Sequence, residues 1–344
     1  MTSLDANSSL AAHAHCSRRD FLTTAGSCAA HVSLMSAAAP VWMRAVWTRG
    51  AANAGVVAEE PWGRLERVAE GVWALTSTPL TGDRTTLCNG GIIAGRHGVM
   101  MVEAFASDAG ARWMASQALA LTGRAPSHVL LTHYHGDHAG GIRGAIQPAT
   151  AAGTGTPPLT AKPTPQLYAA EVTRELVRTR NTCAPLDLLA EATLLSATDA
   201  TRIDLGGRSV AVHPLTGHTS SDVAVHVEDE QIVFCGDLVW NGMFPNYVDA
   251  VPSALTQSVK GLRALHGRTY VPGHGTLADA NAIDRYLALL DSVEEAARRA
   301  VDQGISAEAA GAAYRLPSAL GEWHLFNARY YERAIGAWMK ELGR

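Results

Sequence analysis

The sequence predicts an α/β fold, and three observations carry that prediction. Strand-like runs alternate with a stretch of helical periodicity in a domain placed at residues 62–302. Several of those runs end in a histidine or an aspartate, so residues able to do chemistry collect where strands stop. Past residue 302 the apolar spacing is that of amphipathic helices, which predicts a helical tail over 303–344 packed on the domain.

The elements follow in order. Residues 64–75 alternate apolar and polar side chains around Glu70-Gly71, the pattern of a hairpin. Residues 89–95 and 98–103 form a second strand pair about the turn Arg96-His97-Gly98, which makes His97 a solvated turn residue. Over 107–121, Trp113, Met114, Leu119 and Leu121 fall at helical spacing, with Ser107 or Asp108 as N-cap and Gly123 as stop. The apolar run at 127–132 reads as a buried strand. Residues 148–165 are rich in Ala, Thr, Gly and Pro, a surface loop that is either a lid over substrate or an insertion without function. Helix is expected over 166–180, and the connection through 186–195 is left unassigned. Strands are expected at 201–205, 209–214, 223–227 and 231–237, a helix at 254–266, and a short strand at 269–272 leading into a loop, Gly273-His274-Gly275. Leu287, Leu289, Leu290 and Val293, then Tyr331, Ile335, Trp338 and Met339, predict helices over 280–299 and 327–342.

One stretch stands out from this frame. His133-Tyr134-His135-Gly136-Asp137-His138 packs three imidazoles and a carboxylate into six residues at the end of a strand. In an extended chain His133 and His135 point to one side and can meet one ion, while Tyr134 points away. Gly136 then allows a sharp turn that lets Asp137 and His138 face a second ion. Imidazole and carboxylate suit Zn²⁺, and Fe or Mn with less preference.

Composition limits the partners. The 344 residues are 47% apolar with a formal net charge of −4, which is the make-up of a soluble globular enzyme. Basic residues occur only as scattered pairs, so nucleic acid is excluded and a small-molecule substrate is expected. Of five cysteines, Cys16 and Cys28 lie in a segment expected to be removed; Cys88, Cys183 and Cys235 show no C-x-x-C spacing and read as small buried hydrophobes.

The first 54 residues have a different character. Ser17-Arg18-Arg19-Asp20-Phe21-Leu22 and the Ala/Ser/Thr-rich stretch behind it resemble a twin-arginine export signal. His31 and Pro40 interrupt the apolar part, so no permanent membrane anchor is expected. Pro40 directly follows one small-residue cleavage site, Ala37-Ala38-Ala39, which favours Ala52-Asn53-Ala54. The expected partner is the twin-arginine export machinery, and the expected location is periplasmic or secreted.

Taken together, His133-x-His135-x-Asp137-His138, Gly217-His218-Thr219, Gly236-Asp237 and Gly273-His274-Gly275 resemble, in kind and in order, the motifs of the metallo-β-lactamase superfamily, over roughly residues 62–300. The resemblance implies a four-layer αβ/βα sandwich with metals at one edge, between two sheets covered by helices. It also implies the ligands: His133, His135 and His218 for a first metal, Asp137, His138 and His274 for a second, and Asp237 bridging them. That division gives each ion three protein ligands and leaves a position for a shared water. Two Zn²⁺ ions per chain are the expected cofactor, with Asp137 and Asp237 as the catalytic candidates. One position departs from the family: Glu103 ends a strand that usually closes with Asp, so a hydrogen bond to the metal loop is expected with altered geometry, against a solvated strand-end carboxylate.

The implied activity is that of a dinuclear zinc hydrolase cleaving a small ester, thioester, lactone or amide. Two alternatives stay open, a periplasmic β-lactamase and a mononuclear iron sulfur-oxidising dioxygenase of the same fold. Retention of all seven ligand positions argues against a non-catalytic scaffold. Specificity is expected in loops without a readable motif.

Overall fold

A computed structural model describes residues 55–77, 83–147, 164–180 and 184–343. The expected export segment, nearly all of the 148–165 loop and Cys183 lie outside the described residues.

Eight strands form the first sheet in sequence order: β1 (Val56–Glu60), β2 (Gly63–Ala69), β3 (Val72–Ser77), β4 (Gly90–Ala94), β5 (Val99–Val102), β6 (His128–Leu130), β7 (Gln166–Ala170) and β8 (Thr193–Leu195). Pairing is antiparallel from β1 to β5 and parallel from β5 to β8. The second sheet has the order β13-β12-β11-β10-β9, from β9 (Thr201–Asp204), β10 (Ser209–Pro214), β11 (Val223–Val227), β12 (Ile232–Asn241) and β13 (Thr269–Gly275). Only its β12–β13 pair is parallel.

Both faces are covered at β3, β4, β5, β11 and β12, which explains why these strands are apolar runs without alternation, whereas β2 near the edge of its sheet alternates. Met100 and Val102 of β5 point between the sheets, where they join Val210, Val225 and Phe234 of the second sheet. Val99 and Met101 of the same strand point the other way, against Met114 of helix α1 (Asp108–Thr122). Ser107 caps α1 by accepting from Gly110 N at 3.1 Å, and Gly123 ends it in the left-handed region, as the spacing predicts. The short helices α2 (Gly136–Ala139) and α3 (Ile142–Ile146), then α4 (Glu171–Arg180) and α5 (Leu186–Ala190), complete that outer layer. On the second sheet lie α6 (Pro252–Ala264), α7 (Ala280–Gln303), α8 (Ala307–Ala313) and α9 (Tyr330–Glu341). Leu289 and Val293 of α7 share a core with Ile335 and Trp338 of α9 and with Leu238 of β12. The result is a four-layer αβ/βα sandwich whose C-terminal helices belong to one outer layer. Among the described residues no helix is long and apolar enough to cross a membrane.

Three expectations need correction. Gln166–Ala170 is strand, not the first turns of a helix: Leu167 and Ala169 face the helices while Tyr168 faces the second sheet. Pairing with β6 and β8 overrides the helical preference of its alanines. His274 lies within β13, not in a loop after it, because pairing to β12 continues to Asn241 opposite Gly275. Finally, the chain bends at residues 132–134 and Gly136 opens α2, so the His133–His138 stretch is not one extended run ended by a sharp glycine turn, although His133 and His135 still meet in one group and Tyr134 points away.

Candidate metal centre

The seven predicted residues meet at one edge of the two sheets, all buried. His133 and His135 follow β6, Asp137 and His138 sit on α2, His218 lies between β10 and β11, Asp237 is inside β12 and His274 inside β13. They form two groups, His133/His135/His218/Asp237 and Asp137/His138/His274, and within each group one ligating atom per residue lies within 4.8 Å of the others.

In the first group Nδ1 of His135 is 3.1 Å from Nε2 of His133 and 3.0 Å from Nε2 of His218. Asp237 Oδ2 is 3.3 Å from His218 Nε2 and 3.9 Å from His133 Nε2. In the second, His274 Nε2 is 3.2 Å from Asp137 Oδ2, and His138 Nε2 is 3.7 Å from the same oxygen. The other oxygen of Asp237, Oδ1, lies 3.0 Å from His138 Nε2 and 3.3 Å from His274 Nε2. One carboxylate therefore shows one oxygen to each group. A Cβ at residue 273 would overlap Asp237 Oδ1, so Gly273 is what allows β13 to run this close.

Ligand atoms on a tetrahedral ion with bonds of about 2.0–2.1 Å stand roughly 3.3 Å apart, which is the spacing of these pairs. Both oxygens of Asp237 and Nε2 of His138 and His274 are buried without a hydrogen-bond partner, although the nitrogens and oxygens approach one another. A buried polar atom left so is costly, and a cation satisfies all four. The donor set and its spacing fit a dinuclear metal centre.

Electrostatics divide the groups. Burial pushes His133 well below its ordinary range and His218 down to about 3, so both offer neutral lone pairs. His274 is also buried, but Asp237 and Asp137 outweigh that and raise it to about 9. His138 is raised as well, its desolvation overcome by the carboxylates of Asp237, Glu103 and Asp137. Burial works against ionised Asp137, yet His138 and His274 bring it down to about 2.

The histidines of the two groups are held from behind. Glu103, buried at the end of β5 with φ 77°, accepts from Thr132 Oγ1 at 2.6 Å. That hydroxyl's proton being spent, its oxygen accepts from His133 Nδ1 at 3.1 Å and leaves Nε2 facing the centre. Glu103 Oε1 also stands 3.0 Å from His138 Nδ1, so the residue is a buried partner of both ligand groups and not a solvated strand end. Cys88, pushed up to about 12 chiefly by burial, packs beside His138 as a neutral thiol.

Four holders escaped the sequence reading. Asp222 accepts from His218 N and Thr219 N at 2.9 Å and from Thr219 Oγ1 at 2.6 Å, fixing the loop that carries His218. Asn89 donates to the carbonyls of Pro272 and Gly275 at 2.9 and 2.8 Å, a clamp on either side of His274. The Trp240 ring lies 4.2 Å from that of His274. Asp249 contacts Tyr134, His135 and Arg180. Asp222 alone carried a signal, as the first acid after Gly217-His218-Thr219; the others become neighbours only through the fold. Other histidines stand apart among the described residues: His97 is exposed, His128 stacks on Tyr168, and the His213 ring lies 6.0 Å from that of His226 across β10 and β11.

Residues 83–274, more than half of the chain, match the family described as the metallo-beta-lactamase superfamily. A hydroxyacylglutathione hydrolase from Parasynechococcus marenigrum is 25% identical over 225 residues, spanning 63% of this chain and 77% of that protein. Another from Methylococcus capsulatus is 28% identical over 209 residues, 60% of this chain and 69% of that protein. Among solved structures, the metallo-beta-lactamase from Pontibacter korlensis aligns with a TM-score of 0.53 at 19% identity, over 67% of this chain and 99% of that one, a likeness of fold.

Proposed function

The chain belongs to the metallo-beta-lactamase superfamily and is a metallo-hydrolase, and on that premise we propose that it uses two zinc ions to hydrolyse a thioester of the hydroxyacylglutathione class. The observation that carries the two-metal reading is Asp237, whose Oδ1 faces His138 and His274 while Oδ2 faces His218 and His133. The substrate class is supported by the two hydrolase relatives.

His133, His135 and His218 would hold one ion, Asp137, His138 and His274 the other, with Asp237 shared. When bound, such a pair polarises the substrate carbonyl and lowers the pKa of water into the neutral range. The chain's own work is positioning. Glu103 fixes the ring nitrogens of His133, through Thr132, and of His138. Asp222 fixes the backbone that presents His218, and Asn89 the strand that presents His274. Trp240, almost fully buried, closes the wall behind His274 to water. The residues placed here are ligands or holders of ligands, and a thiolate, whose conjugate acid has a pKa of about 8.5, asks less of a proton donor than an alkoxide or an amine.

Initial rates of the zinc-loaded chain on an S-acylglutathione, an activated oxygen ester, a lactone and a chromogenic β-lactam test the reading. The thioester should give the highest kcat/KM. Preference for the β-lactam would make the protein a β-lactamase, and oxidation of a persulfide by an iron-loaded form, without hydrolysis, would place it among the dioxygenases.

A further inference from the structure

The reading of His135 as a ligand leaves open what decides which of its ring nitrogens faces the centre. Nδ1 is the inward atom, within 3.1 Å of His133 Nε2 and 3.0 Å of His218 Nε2. Nε2 points away and lies 3.1 Å from Oδ2 of Asp249. An ionised carboxylate only accepts, so the hydrogen belongs on Nε2 and the lone pair on Nδ1.

Asp249 is itself tied down. It lies between β12 and α6, far in sequence from the residues it touches. The hydroxyl of Tyr134 donates to the same Oδ2, and Arg180 Nη1 donates to Oδ1 at 3.0 Å. Tyr134, between the two histidines, keeps its ring in the helix-side core, and Arg180 is the last residue of α4. Three donors from two separate parts of the chain, the neighbours Tyr134 and His135 and the distant Arg180, thus converge on one side chain that is only 17% exposed.

We propose that Asp249 is a positioning residue for the first ligand group: it holds His135 in the tautomer that turns Nδ1 inward, and Arg180 and Tyr134 hold Asp249. Without it the imidazole is free to carry its hydrogen on Nδ1, which sets an N–H where a lone pair is needed. The chain then loses a ligand without losing a ligand residue. The inference rests on the metal-centre reading but not on the substrate, since its readouts are metal affinity and the state of one ring.

The test uses the full chain, wild type beside Asp249→Ala and Asp249→Asn, with zinc affinities from chelator competition and imidazole signals from nitrogen-15 NMR of the zinc-loaded proteins. Loss of a carboxylate that orients a ligand histidine lowers affinity by about 10–100-fold. Asp249→Ala should show that loss at the first site, change the second less than about threefold, and abolish the exchange-protected Nε2–H signal of His135. Asp249→Asn, similar in shape but unable to accept from three donors, should fall between, and it decides the matter if the alanine variant does not fold. First-site affinity within twofold of wild type in the folded variants, or an unchanged Nε2–H signal, overturns the proposal. Failure of the wild type to cleave thioesters would overturn the substrate reading alone.

Discussion

Glu103 sets its Oε1 3.0 Å from Nδ1 of His138, on backbone held at φ 77°. The same oxygen accepts from Thr132, which in turn holds His133, so one buried carboxylate serves a ligand in each group. Left-handed backbone is uncommon for a residue with a side chain, and it is what aims this one back into the metal loop.

Glu103→Gln should therefore weaken both zinc sites by about 10–100-fold, measured by chelator competition. Glu103→Asp keeps the charge but shortens the arm, so its loss should be the smaller. Weakening at the second site alone would show that the Thr132 relay to His133 does not matter.

Metal uptake should depend on pH in a defined sense. His274, held at about 9, carries a proton through the neutral range, and His138 is raised as well. Zinc must displace those protons, so apparent affinity at the second site should drop about tenfold per proton for each pH unit below 9. Competition titrations between pH 6 and pH 8 give the slope, and a flat profile would mean that neither histidine is protonated.

Stability of the metal-free chain should run the opposite way, falling as pH rises. A histidine raised from 6.5 to about 9 stabilises the fold fully below pH 6.5, and that contribution is lost as pH rises through about 9. Asp222, pushed up to about 7 by burial, has the same sense over a lower window, from 3.8 to about 7. Thermal melts should thus show the metal-free chain less stable at pH 9.5 than at pH 6, and a rise over that interval would contradict the assignment.

The seven residues that the fold brings together were legible because each lies in a short local motif, and spacing alone brings four of them within six residues. What holds the ligands was less legible. Asn89 reaches β13 across more than 180 positions, and Asp249 reaches His135 across 114. No periodicity encodes such contacts; they exist only after the sheets pack edge to edge. The error at β7 has a similar root, since a short parallel strand buried on both faces lacks the alternation that separates strand from helix. Glu103 was visible only as a departure, and burial decided between its two readings.

Asp237 should behave unlike any other ligand, because it faces both groups. Asp237→Ala removes the anion that offsets the repulsion of two cations, so the second site should empty. Steady-state kinetics should show kcat falling by on the order of a hundredfold with KM changed far less, as when a preorganised electrostatic group is lost. Full activity of the variant would remove the two-metal mechanism.

The most direct measurement is the return of thioesterase activity as zinc is titrated into the metal-free full chain. With two ions sharing Asp237, activity should stay low through the first equivalent and level off at about two per chain. Full activity at one equivalent, or none at any zinc level in a chain that binds one iron, would contradict the account.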